Sequence, residues 1–307
     1  MSKTLRPSPL GYGLILLSAV LFGTYGVWSR LMGETFEPFY QTWVRSILII
    51  VIMLPFMLVG KNFRKIDRSD WPHVGLFILF CLFTQVPLYY AFNHAPIGEV
   101  QLIFYSMFVI AAYMVGRIYL GERITKIKLV SMALAFVGLA IVFGMSVLAF
   151  APLGLALAAL NGVASGGEVA SSKKVSNKYS PALLIFWGWI FTLLTHLPLS
   201  LLLGETQHLP QFDTAWLWLV IFAVVNTAAF WLVIVGFKFV DASIGSLLGL
   251  SEVLFGIMFG AIIFHEPIGW SVLVGGTLII VAAMLPDVRA ILKGRRATKS
   301  IEPVREL

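Results

Sequence analysis

One carboxylate stands apart in the stretch LGLSEVLFGIMFG, residues 248–260. Glu252 is the only charged residue in an apolar run from Ala242 to Phe264. Counted from Ser243 at 1.5 Å per residue, it lies about 13 Å into a helix. That is close to the middle of a hydrocarbon core about 30 Å thick. A charge at that depth costs about 2.5–3.5 kcal/mol on insertion scales, so such residues face an interior or a wet cavity. Gly245, Gly249, Gly256 and Gly260 recur at three-or-four spacing and share its helical face. A glycine stripe lets a backbone or a ligand approach closely. A carboxylate so placed suits binding a proton and a cationic substrate in turn. The alternative is a protonated Glu that hydrogen-bonds a neighbouring helix and serves packing alone.

Other polar residues repeat the pattern more weakly. Asn161, Ser165, Glu168 and Ser172 are spaced by four, three and four and share one helical face, with Gly162, Gly166 and Gly167 beside them. Glu168 lies within two turns of the end of its run, where it either faces the interior or pairs with Lys173. Arg45 cannot lose its charge and needs a partner or water. It either meets a substrate carboxylate or pairs with Glu99 in the first turn of the fourth run. Gln85, Tyr89, Tyr105, Asn226 and Trp231 are uncharged groups that could line a cavity. The aromatic rings among them could cover a cationic amine or serve as packing and interface anchors. His94 and His196 fall in outer halves of their runs and read as interfacial.

Enzyme signatures do not emerge. His265-Glu266 begins like a zinc-protease motif, but Gly269 stands where the second His must be. There is no phosphate-cradling loop, no GxSxG and no Cys/His cluster, so neither catalysis, metal nor cofactor is expected. Cys81 is the only cysteine, which excludes an intrachain disulfide.

The elements that must position these groups are membrane helices. Of 307 residues, 59% are hydrophobic and 12% charged, against about 45–50% and 25% in soluble domains. Apolar runs fall near 10–30, 39–59, 73–93, 97–119, 127–147, 152–171, 182–203, 215–238, 243–264 and 270–286. Only helices satisfy every backbone group within single segments of this length, so an all-α integral membrane protein with ten transmembrane helices is expected. The first run lacks a convincing cleavage site and reads as a retained helix. Of the 22 Lys and Arg, only Arg30 and Arg45 fall away from one side of the implied topology. The positive-inside rule therefore places both termini in the cytoplasm of a multi-pass cell (inner) membrane protein. It also accounts for the net charge of +7 without nucleic acid.

The chain repeats itself. Pro9 and Pro152, Pro38 and Pro181, and Pro55 and Pro198 all stand 143 residues apart, while Glu122 and Glu266 stand 144 apart. The boundaries are 1–148 for the first five-helix repeat, 149–288 for the second, and 289–307 for a basic cytoplasmic tail. Five is odd, so the second half inserts upside down. Inverted repeats mark secondary transporters with a midplane site between the halves. The offset gives the Asn161 stripe the mates Ser18, Phe22, Tyr25 and Ser29. It gives Glu252 the mate Phe108.

Gly121-Glu122, the related His265-Glu266, Arg45 and Ser251-Glu252-Val253, set in this five-plus-five layout, resemble the drug/metabolite transporter superfamily, specifically its EamA-type members, over roughly residues 10–286. The resemblance implies a basket of helices one to four and six to nine around a central cavity, with helices five and ten peripheral. Members move amino acids, sugars, nucleotide sugars, sugar phosphates, choline and drugs.

Together these features predict a secondary active transporter of small polar metabolites working by alternating access. Amino acids for export come first, with a proton as coupling partner, and quaternary amines or cationic drugs come second. The expected partners are a small-molecule substrate, protons and the lipid bilayer, not nucleic acid. A monomer is compatible with this reading. A non-transporting membrane scaffold is the alternative outside the class, and it would have a closed, dry interior.

Overall fold

The computed structural model describes residues 9–32, 35–59, 64–94, 97–144, 152–265 and 267–299, with backbone alone for 92, 93, 97–99 and 287–299. Thirteen α-helices follow along the chain: α1 (Pro9–Gly23), α2 (Tyr25–Met32), α3 (Pro38–Leu58), α4 (Trp71–Cys81), α5 (Val86–His94), α6 (Ile97–Ile118), α7 (Lys126–Phe143), α8 (Pro152–Val175), α9 (Pro181–Leu202), α10 (Thr214–Phe237), α11 (Ala242–Gly249), α12 (Ser251–Phe264) and α13 (Trp270–Lys299). Nine segments among the described residues are long and apolar enough to span a bilayer, and the stretch Trp270–Pro286 of α13 is a shorter tenth. The ten expected spans thus become thirteen helices because three of them are interrupted.

Each interruption has a local cause. Between α4 and α5, Pro87 has no N–H to give, and its ring excludes a helical carbonyl at Phe83. That freed carbonyl accepts the Asn161 side-chain amide at 3.0 Å, and Thr84 Oγ1 donates to Cys81 O at 2.9 Å. Between α1 and α2, Thr24 Oγ1 donates to Leu21 O and accepts from Trp28 Nε1 at 2.8 Å. Between α11 and α12, the Leu250 N–H is shared by Ser246 O and Leu247 O, each at 3.3 Å, and Ser251 Oγ donates to Leu248 O. No proline marks these last two breaks.

Two of the three repeated proline pairs begin corresponding helices, and the third, Pro55 and Pro198, lies inside α3 and α9. Pro9 and Pro152 open α1 and α8, and Pro38 and Pro181 open α3 and α9, where the missing N–H costs nothing. The packing obeys the same exchange. α6 lies along α8, and its mate α11–α12 lies along α1; α1 packs on α10, and α8 on α4 and α5. The two self-mated pairs are α3 with α9 and α7 with α13. Long connections cross between halves. Glu205 of the second half accepts from Phe39 N and Tyr40 N at the start of α3. Asp70 of the first half accepts from the Tyr179 hydroxyl just before α9.

Glycines set the closest helix approaches. A Cβ at Gly162 would lie 2.3 Å from Phe104 O, and one at Gly166 would lie 2.1 Å from Phe108 O. The glycines of α8 are therefore packing contacts against α6, of the small-residue kind that membrane helices use. In the α7–α13 pair, a Cβ at Gly275 would sit 2.5 Å from Gly138 O. Gly166→Val should therefore cost about 1–3 kcal/mol or more through overpacking. Thermal unfolding in lipid nanodiscs would detect it as a lowered midpoint, while Gly13→Ala, which meets nothing within 4 Å, should leave the midpoint unchanged.

Candidate functional site

The helices enclose a cavity of about 570 Å³. Along the first span its wall runs from Ile15 to Arg30, about 22 Å at 1.5 Å per residue. It reaches Phe264 at the end of α12, where the Arg30 guanidinium lies 4.2 Å from the ring centroid. Gly26 and Arg30 on this wall are exposed, so the mouth lies on the side where α2 and α12 end.

The glycine face holds as a unit: Gly245, Gly249, Glu252, Gly256 and Gly260 all line the cavity. The break at Leu250 puts Glu252 in the first turn of α12. A half-helix N-terminus there favours negative charge. The Tyr105 hydroxyl on α6 donates to Glu252 Oε1 at 3.3 Å. A Cβ at Gly249 would meet only the Phe108 ring, at 3.5 Å. The space beside the carboxylate is thus bounded by the aromatic side chain that stands at its own mate position.

Asn161, Ser165 and Glu168 line the cavity, as do all four mates, Ser18, Phe22, Tyr25 and Ser29. Ser172 does not; its hydroxyl turns back to Val169 O. Glu168 lies beside the Cys81 thiol, while Lys173 pairs with Glu122. Gln85, Tyr89, Tyr105 and Asn226 also line the cavity.

Two of the sequence-selected residues are placed elsewhere. Trp231 packs on Phe56, ring centroids 5.6 Å apart, and is not in the wall. Five residues beyond Asn226, it points about 140° around the helix from it. Arg45 is fully buried behind the wall, with Nη2 donating to Gln85 Oε1 at 2.5 Å and Cζ 4.4 Å from the Phe222 ring centroid. The side chain of Glu99 and the whole of Glu266 lie outside the described residues, so the Arg45–Glu99 pair has no geometry to report. Sequence reasoning did not select Trp189, Thr192, Cys81 or Arg30, all of which line the cavity. For Arg30 the signal was available, since it was one of two basic residues off the positive side.

The far side of the molecule is closed by charge. Gly121 at φ +70° turns the chain so that Glu122 folds back beneath α6. Its carboxylate accepts from Lys173 Nζ at 2.9 Å and from Ala242 N, at the start of α11, at 2.8 Å. Asp241 pairs with Lys128 at 2.8 Å and Lys173 at 3.6 Å. Four charges from both halves thus join the ends of α6 and α8 to the starts of α7 and α11. In the second half the matching turn is made by His265 in the left-handed region, φ 56°, a conformation that side chains other than glycine adopt at a cost.

A bundle of membrane-length helices around a cavity with polar groups in a mainly apolar wall, open on one side and ion-paired on the other, is the architecture of a membrane transporter. The EamA-like transporter family model matches residues 9–144 and 152–285, and the chain belongs to that family, present here in two repeats. It is 26% identical over 277 residues to a protein from Archaeoglobus fulgidus described as an uncharacterized transporter, covering 90% of this chain and 95% of that one. A solved crystal structure with 16% sequence identity superposes with a TM-score of 0.75, covering 90% of this chain and 96% of its own, which establishes a shared fold.

The closing cluster has a definite pH response. Burial works against the ionised form of Asp241, but the hydrogen bond from Lys128 and the charges of Lys128 and Lys173 hold its carboxyl below the usual range. A depressed folded value makes its contribution complete above the ordinary Asp value of about 3.9, and lost as pH falls through the folded value. Amide exchange in the first turn of α11, corrected for intrinsic rate, should stay flat from pH 8 to 5 and rise only in stronger acid. Asp241→Asn should raise that exchange at neutral pH.

Proposed function

We propose that this protein is a secondary active carrier that works by alternating access, moving small amine-bearing metabolites in exchange for protons at Glu252. The observation that carries the reading is the carboxylate itself. It faces a cavity of about 570 Å³ from the first turn of a half-helix, and its hydrogen-bond partner, Tyr105, belongs to the other repeat. A proton and an amine both neutralise one carboxylate, and they cannot do so together, so each displaces the other. Rocking of one half on the other would part Tyr105 from Glu252 and exchange the open mouth for the ion-paired face.

Amino acids for export were the first expectation. The cavity wall supports the second class, quaternary and other organic amines, more strongly. Among the described lining residues the carboxyl and basic side chains are Glu168, Glu252 and Arg30, and Arg30 stands at the mouth. Arg45, one of whose two expected roles was to meet a substrate carboxylate, is turned to Gln85. The rings of Tyr25, Tyr89, Tyr105 and Phe104 supply faces for a cation. A scaffold would not need an open cavity with these groups in its wall. We place both termini in the cytoplasm and the protein in the cell membrane, so the mouth faces outward. The cavity is formed within one chain, so a monomer suffices.

The test is uptake into proteoliposomes of a panel of quaternary amines, primary amines and amino acids, with and without an imposed proton gradient. A gradient should drive amine uptake by the native protein, and Glu252→Gln should abolish that drive. Unchanged gradient-driven transport by Glu252→Gln would remove Glu252 from the mechanism. Tyr105→Phe should weaken substrate binding about fivefold, the scale of about 1 kcal/mol for one hydrogen bond.

A further inference from the structure

Two buried charges remain without a role. Arg45 is 0% exposed and permanently charged, and no described carboxylate pairs with it. Its Nη2 holds Gln85 Oε1, while Nε and Nη1 make no hydrogen bond among the described residues. Glu168 is 8% exposed and lines the cavity beside a thiol, with no cation bonded to it. A third group points to a ligand. Asn226 is 3% exposed, faces the same cavity, and hydrogen-bonds no described residue through its side chain.

These groups share one neighbourhood. Arg45 holds Gln85 and its Cζ lies 5.6 Å from the Trp189 ring centroid, and both of those residues line the same cavity as Glu168 and Glu252. Buried charges are tolerated when they are compensated, and each uncompensated one is costly. With both carboxylates ionised the three groups carry one net negative charge. With one proton on either carboxylate they carry none. The other ionisable side chains of the wall are a thiol and phenols, types uncharged near neutral pH. Arg30 is exposed at the mouth, where solvent screens it.

We propose that Arg45 is a fixed counter-charge that sets the valence of the ligand. It balances one of the two cavity carboxylates and leaves a single exchangeable negative charge, which one monovalent amine or one proton satisfies in turn. This inference deepens the transport reading above and rests on it. A divalent amine would leave a positive charge uncompensated in a site of low dielectric. A zwitterion would leave the negative one. Arg45 acts through its field from behind the wall, not by touching the ligand, and is a specificity determinant in that sense. Gln85, held by its guanidinium, presents the wall that the ligand meets.

The experiment measures half-saturating concentrations for proteoliposome uptake of two probes, phenethylamine with one positive charge and 1,5-diaminopentane with two. The native chain should favour phenethylamine at least tenfold. Arg45→Gln should move that ratio at least tenfold toward the diamine, whereas Arg45→Lys, which keeps the charge, should not. Glu168→Gln should raise the half-saturating concentration of phenethylamine about tenfold, because Arg45 then balances Glu252. The double variant Arg45→Gln/Glu168→Gln should return to the native ratio. Equal shifts in Arg45→Gln and Arg45→Lys would overturn the proposal, as would a native chain indifferent to valence or a double variant that keeps the defect of either single one. If Arg45→Gln does not fold, Glu168→Gln decides: undiminished phenethylamine uptake would reject the counter-charge. Transport of neither probe by the native chain would instead bring down the amine-carrier reading, and this inference with it.

Discussion

The bilayer core offers no water, so every polar group placed in it must find its partner within the protein. Most of this architecture follows from that demand. Where Pro87 releases the Phe83 carbonyl, Asn161 of the opposite repeat supplies a donor. Where the ninth span breaks, Leu250 divides its N–H between two carbonyls. Arg45, which no sequence of this composition can hide cheaply, is wrapped by an amide and an aromatic ring. The broken spans are affordable only because a helix from the other half lies against each one.

This demand also explains why the halves interlock rather than sit side by side. Each half leaves helix ends that its own residues do not cap. Glu205 reaches the start of α3 and Glu122 the start of α11, each across the boundary between repeats. In the proposed carrier the same contacts that complete the helices would govern how one half moves against the other. Opening the ion-paired face would require freeing the first turn of α11, and α11 leads directly into the break beside Glu252. Charge, capping and the proposed binding residue lie on one span, on either side of its break at Leu250.

Much of this was legible in the sequence. The membrane spans and the division into two repeats follow from composition and spacing. The face of Glu252 with its four glycines follows from helical period alone, because period survives any packing. What failed depended on angle or on distant pairing. Trp231 has the right depth and chemistry but the wrong side of its helix. Asn161 was read as a ligand group, yet half of its amide serves a carbonyl 78 residues away. The Arg45–Gln85 bond joins residues 40 apart, and neither residue's surroundings announce the other. The breaks at Thr24 and Leu250 carry no proline and are marked only by local side-chain and shared backbone hydrogen bonds.

The two repeats are related but not equal. One half turns on Gly121 and the other on His265, held in a conformation unfavourable for a residue with a side chain. Glu252 faces the cavity while its mate, Phe108, presents a ring. Two perfectly matched halves would give inward-open and outward-open forms of the same energy, and a carrier with identical affinity from either membrane face. In the proposed carrier the two forms would differ in all but covalent structure. Substrate on the two sides would meet unequal half-saturation, so such a carrier would respond to concentration changes on one side long before the other, even though the gradients alone fix the direction of net flow.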